Sequence, residues 1–148
     1  MLDVSNRVTS NVEFYVKRVH PEVNFQNYDT ASPPDLPAMS VVQIDNPEVA
    51  VDLGGDPIED LSVDSIEDFS VDSNIEIQSY SNKSVTEAKR ILTTACDAMR
   101  RMSYRRTYGI TNLPTRNVPN QYRCVARFRR IVSSLDELPK FTQQSGGN

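Results

Sequence analysis

Four arginines, Arg100, Arg101, Arg105 and Arg106, fall within seven residues, with Tyr104 among them and Tyr108 just beyond. Guanidinium groups hold phosphates or carboxylates through paired hydrogen bonds, and aromatic rings offer a flat face for stacking. A second set follows at Arg123, Arg127, Arg129 and Arg130. A helix dipole accounts for one or two positive side chains in a last turn, but not for four. Together with Tyr104, the two sets form a candidate surface for nucleic acid or for an acidic protein partner.

The opposite chemistry lies upstream. After a weak first copy at residues 51–58, Glu59-Asp60-Leu61-Ser62-Val63-Asp64-Ser65-Ile66 is followed by the nearly identical Glu67-Asp68-Phe69-Ser70-Val71-Asp72-Ser73-Asn74, a repeat of period eight over residues 51–74. The shared core is Asp-[Leu/Phe]-x-x-Asp. Asp60, Leu61, Asp64, Asp68, Phe69 and Asp72 are therefore candidates for binding a basic partner. A period of eight fits no helix face, but it is even and so keeps strand sidedness from copy to copy. As a strand, Leu61, Val63, Phe69 and Val71 share one side. A disordered acidic-hydrophobic segment offering tandem short motifs is the other reading, favoured in the free chain by few packing residues and many like charges. The spacing is not that of a calcium loop.

Nucleophilic catalysis would need His20, the one histidine, beside a Cys or Ser and an orienting acid, and nothing local supplies that set. Cys96 and Cys124 cannot build a disulfide framework, nor a four-ligand zinc site with one histidine. Gly54-Gly55 is no phosphate loop. The expectation is therefore no enzyme, no metal and no cofactor.

The 148 residues carry 16 Lys and Arg against 20 Asp and Glu, for a net charge of −4. That total conceals zoning. Residues 1–18 are net +1, 19–82 net −14 with no base, 83–130 net +10, and 131–148 net −1. Such asymmetry points to a charged partner, or to one half covering the other. No segment approaches the run of about 20 apolar residues that a membrane span needs, and Met1 to Arg7 holds no apolar leader. An intracellular or virion location, with no membrane partner, is expected.

These side chains need elements to position them. Val12, Phe14 and Val16 alternate with Glu13, Tyr15 and Lys17, which predicts a strand over residues 10–19, ended by His20-Pro21. Residues 29–40 are a Pro-rich break, read as a linker. Ser84-Val85-Thr86-Glu87 is a capping box, and an apolar stripe from Val85 to Met102 predicts a helix of about 22 residues, stopped at Gly109. Residues 110–119 read as a turn-rich connection. Residues 120–132 fit both a helix and a strand template, and Asn120 as a cap tips them toward helix.

The expected fold is α+β, small and loop-rich. An N-terminal strand segment (1–28) leads into an acidic, Pro-containing segment (29–82) expected to be extended or disordered. A basic helical region (83–135) holds one long helix and a second one, and a flexible tail (136–148) follows. Such a layout is similar in outline to small viral scaffolding, minor capsid or virion-accessory proteins. It implies a non-enzymatic interaction or assembly protein, bound to a protein partner or to copies of itself. Two alternatives stand beside it. One is a nucleic-acid-binding accessory protein using residues 83–130. The other is a regulatory adaptor using the acidic repeat.

Overall fold

Val4, Val8, Val12 and Val16 recur every four residues, and all four are fully buried. In the computed structural model, which describes residues 4–26, 35–45, 70–113, 121–134 and 137–141, they line one side of α1, Ser5–Val19. The predicted strand over residues 10–19 is thus corrected to helix. A spacing of four suits both periods, but a strand face would also have put Asn6 and Ser10 in the core. The end at His20 holds, since its backbone N–H bonds to the Val16 carbonyl.

Among the described residues, five strands follow the order β1-β2-β3-β5-β4. They are β1 (Asn24–Gln26), β2 (Ala38–Asp45), β3 (Val71–Ser81), β4 (Arg105–Leu113) and β5 (Tyr122–Val132). β1 and β2 are parallel, and the other pairs are antiparallel. β5 lies between β3 and β4, which therefore run parallel to each other and are joined through α2 (Val85–Arg101). This bears out the α+β class.

The second predicted helix is corrected: residues 122–132 are the interior strand β5. Cys124, Ala126 and Phe128 face the core, while Arg127 and Arg129 face outward. Ile75 and Ile77 of β3 oppose Phe128 and Ala126. Filling the slot between β3 and β4 satisfies both backbones, and this tertiary demand overrides the local cap signal.

α2 begins as expected. The Ser84 hydroxyl accepts from the Glu87 N–H at 3.0 Å. The reciprocal half of the box differs, because Glu87 accepts from the Ser81 hydroxyl at 2.5 Å. Ser84→Ala should cost about 1 kcal/mol in a denaturant titration; an unchanged midpoint would mean that Ser81 takes over the cap.

The helix ends at Arg101, so the stop expected at Gly109 is wrong. Ser103 adopts φ 65°. Its N–H bonds to the Arg100 carbonyl at 2.9 Å, and the Tyr104 N–H bonds to the Met99 carbonyl at 3.0 Å. These two bonds make a Schellman motif without glycine, sealed by the buried pair Met99 and Tyr104. Residues 105–113, expected as helix end and turn, are the strand β4.

α1 and α2 cover one side of the sheet. Ala88, Ala95 and Ala98 let α2 approach closely, with Ile91, Leu92 and Met99 filling the space over β3 and β5. Residues 137–141, placed by sequence in a flexible tail, hold Leu138 and Phe141 in this core. The Phe141 ring lies 5.9 Å from that of Tyr15. Of the acidic segment, residues 27–34 and 46–69 lie outside the described residues, and with them Asp60, Leu61, Asp64, Asp68 and Phe69. Among the described residues, no helix is long and apolar enough to cross a membrane.

Candidate binding face

The side of the sheet away from the helices is built by alternation. β3 presents Asp72, Asn74, Glu76, Gln78 and Tyr80; β5 presents Arg123, Val125, Arg127, Arg129 and Ile131. Arg105 and Tyr108 of β4 lie opposite Arg129 and Arg127. One end of this face is closed: Ser40, Gln78, Tyr80 and Val125 are buried. The other end is open, with Tyr108 45% and Ile131 49% exposed beside the exposed Arg105, Arg127 and Arg129. Ile44, also exposed, sits at the irregularity in β2.

Two carboxylates from the acidic zone meet two guanidiniums from the basic zone here. Arg127 Nε lies 2.9 Å from Glu76 Oε2, and Arg129 Nε lies 2.7 Å from Asp72 Oδ1. Hydrogen bonding to Asp72, then its charge, raises the pKa of Arg129. The Arg127 guanidinium also lies over the Tyr108 ring at 5.4 Å. Part of the charge zoning is thus internal, since β3 and β5 come from opposite zones and lie side by side. Arg105 has no hydrogen-bond or ion-pair partner among the described residues. At the closed end, Arg123 Nε is buried without a partner there.

The remaining candidate residues go elsewhere. Tyr104 is buried and its hydroxyl is 2.7 Å from that of Ser73, so it cannot stack on a base. Burial, more than that bond, raises its pKa. Arg130 is internal too: Nη1 donates to the Met102 carbonyl at 2.5 Å, and Nη2 pairs with Glu137 at 3.3 Å. It clasps the end of α2 to the C-terminal segment.

Arg100 and Arg101 stand at the helix end, on the other layer. Asp97 accepts from Arg100 and from the Tyr15 hydroxyl. Arg101 Nε donates to Tyr15 Oη at 3.2 Å, and its guanidinium lies 5.4 Å from that ring. The Tyr15 bond, then the Arg100 bond, lowers the pKa of Asp97. These groups join α1 to α2. Arg106 points to the helix side and hydrogen-bonds Cys96, whose thiol pKa is nevertheless raised by burial. Both cysteines are free.

His20 is better connected than its sequence position suggests. Nε2 is 3.1 Å from Thr94 Oγ1, and Nδ1 is 3.9 Å from Glu22. The Thr94 hydroxyl donates to the Arg90 carbonyl at 3.2 Å, so it receives a bond from the ring. A base–nucleophile pair needs the opposite direction. Among the described residues, no group of three His, Cys, Asp or Glu could hold a metal ion.

The nine candidates therefore divide. Arg105, Arg127 and Arg129 share the open sheet face, with Arg123 at its closed end, and the other five do not join them. Sequence reasoning did not place Tyr108, Ile131 and Glu76 in this site. The strand alternation in residues 122–132 was the signal that could have found Ile131. No protein-family model matches the chain, and no curated protein matches it.

Proposed function

We propose that the chain is a non-enzymatic assembly subunit, of the structural, scaffolding or virion-accessory kind, that binds a protein partner through its open sheet face. One observation carries this reading: exposed Arg105, Arg127 and Arg129 are interleaved with Tyr108 and Ile131, and with the carboxylates of Asp72 and Glu76. Arginine, tyrosine and an aliphatic side chain at the centre of a mixed-sign patch suit a protein interface.

Nucleic acid fits the same face less well. Asp72 and Glu76 would stand against phosphates, and Tyr104 is not there to stack. The acidic repeat gives such a subunit a second, oppositely charged contact, which is also how the adaptor reading would use it.

Native isolation tests this. The expected result is a protein-only complex, by light scattering and ultraviolet absorbance ratio. Co-purifying nucleic acid, released steeply by salt, would overturn it.

A further inference from the structure

We propose that the cavity between α1, α2 and β4 binds a small organic carboxylate with an apolar body, held by the Arg106 guanidinium. The site lies on the helix side of the sheet, away from the open face, and the proposal is independent of the assembly reading.

Three elements build this cavity. Thr93, Cys96, Asp97 and Arg100 are spaced i, i+3, i+4 and i+7, so they share a face of α2. That face is distinct from the buried stripe of Ile91, Leu92 and Ala95. Arg106 and Ile110 come from β4, and Val19 comes from the end of α1. The volume is about 420 Å³, which is within the range of small-molecule sites.

Charge sets the sign of the ligand. The contact of Arg106 is a hydrogen bond to Cys96, and among the described residues it has no carboxylate partner. Burial raises the pKa of the Cys96 thiol, so the sulfur stays protonated at neutral pH and does not neutralise the guanidinium. Asp97 also lines the cavity, but its carboxylate is already engaged. It accepts from the Tyr15 hydroxyl and from Arg100, and Arg101 Nε lies 3.6 Å away. Arg106 is therefore a cation without an anion on the wall of a cavity.

The remaining lining favours a carboxylate over a phosphate. A phosphate presents three acceptor oxygens and close to two charges. The Thr93 and Thr94 hydroxyls donate to the Lys89 and Arg90 carbonyls at 2.7 and 3.2 Å, so neither proton is left for a ligand. The ionised Asp97 opposes a second negative charge. A carboxylate needs only the two parallel bonds that one guanidinium supplies. Partly buried Ile110 and exposed Val19 give its body an apolar wall.

The probe is benzoate, tested against benzamide, its uncharged isostere, and inorganic phosphate, all at constant ionic strength. The full chain is titrated, and NMR follows the Arg106 Nε–H and the Ile110 methyl signals. Benzoate should shift both signals saturably, with a Kd of about 10 mM or below. At ten times that Kd it should slow alkylation of Cys96 by iodoacetamide about tenfold, as mass action requires of an occluded thiol. Arg106→Gln, read at Ile110, should weaken benzoate at least about tenfold. Arg106→Lys keeps the charge without the fork and should fall between. Circular dichroism checks that both variants fold. Benzoate that does not saturate on wild type, benzamide or phosphate that binds as tightly, or an Arg106→Gln variant with unchanged affinity would each overturn the proposal. None of these results bears on the open sheet face, which the native isolation tests.

Discussion

Gly109→Ala should lower the unfolding free energy on the order of 3 kcal/mol, with a fall of about 10 °C in the melting midpoint. Gly109 has φ +93°, a region that L side chains rarely adopt. A Cβ there would meet the Val125 carbonyl oxygen and stand 2.9 Å from Ala126 Cα, both backbone atoms of β5. No side-chain rotation can relieve a contact with backbone, so β4 must move from β5 or the φ must change. The two register irregularities of β4 flank this residue, between Arg106 and Tyr108 and between Gly109 and Thr111. They set Tyr108 over Arg127 and Arg106 toward Cys96, so displacement here also disturbs both sides of the edge. Calorimetry reads the midpoint. A variant as stable as wild type would show that β4 relaxes freely at this point.

The same strand shows where the sequence stops being legible. No proline or glycine interrupts residues 103–108, so the helix reads on to Gly109, and glycine is the usual stop. Ser103 ends the helix instead, in a left-handed conformation whose cost is met by two backbone bonds and by burial of Tyr104 against Met99. Nothing local in Ser103 announces that. The buried pair forms only once the sheet is beneath it. β5 failed for a related reason: residues 122–132 satisfy both periods, and the choice is made by the open slot between β3 and β4. α1 failed differently, because a window starting at residue 10 hid Val4 and Val8. The capping box at Ser84, by contrast, is local chemistry and was readable from sequence.

Charge was legible as a total per zone and illegible as a surface. Asp72 and Arg129 lie 57 residues apart in sequence yet 2.7 Å apart in space, so part of the zoning is consumed inside the sheet. On the open sheet face Arg105 remains outward, with no side-chain partner among the described residues. Helix periodicity would have put Arg127 and Arg130 near one another. Strand periodicity separates them, one to the binding face and one to the clasp on Met102.

Asn11→Ala should cost about 2–3 kcal/mol and release the C-terminal segment before the rest of the fold. Asn11 is 2% exposed and spends its amide on that segment. Nδ2 donates to the Pro139 carbonyl at 2.7 Å, and Oδ1 accepts from the Phe141 N–H at 3.0 Å. Alanine removes both partners at once and leaves a buried N–H unsatisfied, the costlier kind of loss. Arg7, which donates to the Leu138 carbonyl at 3.3 Å, and the Arg130 clasp cannot replace a bond to the Phe141 N–H. Hydrogen exchange separates the local event from the global one: Phe141 should lose protection more than the β3 amides do. Asn11→Asp keeps the acceptor but sets a buried carboxylate oxygen against the Pro139 carbonyl, so at neutral pH it should be no more stable than alanine. Equal loss at Phe141 and in β3 would mean that residues 137–141 unfold only with the whole sheet, making Asn11 part of the global core and not a latch.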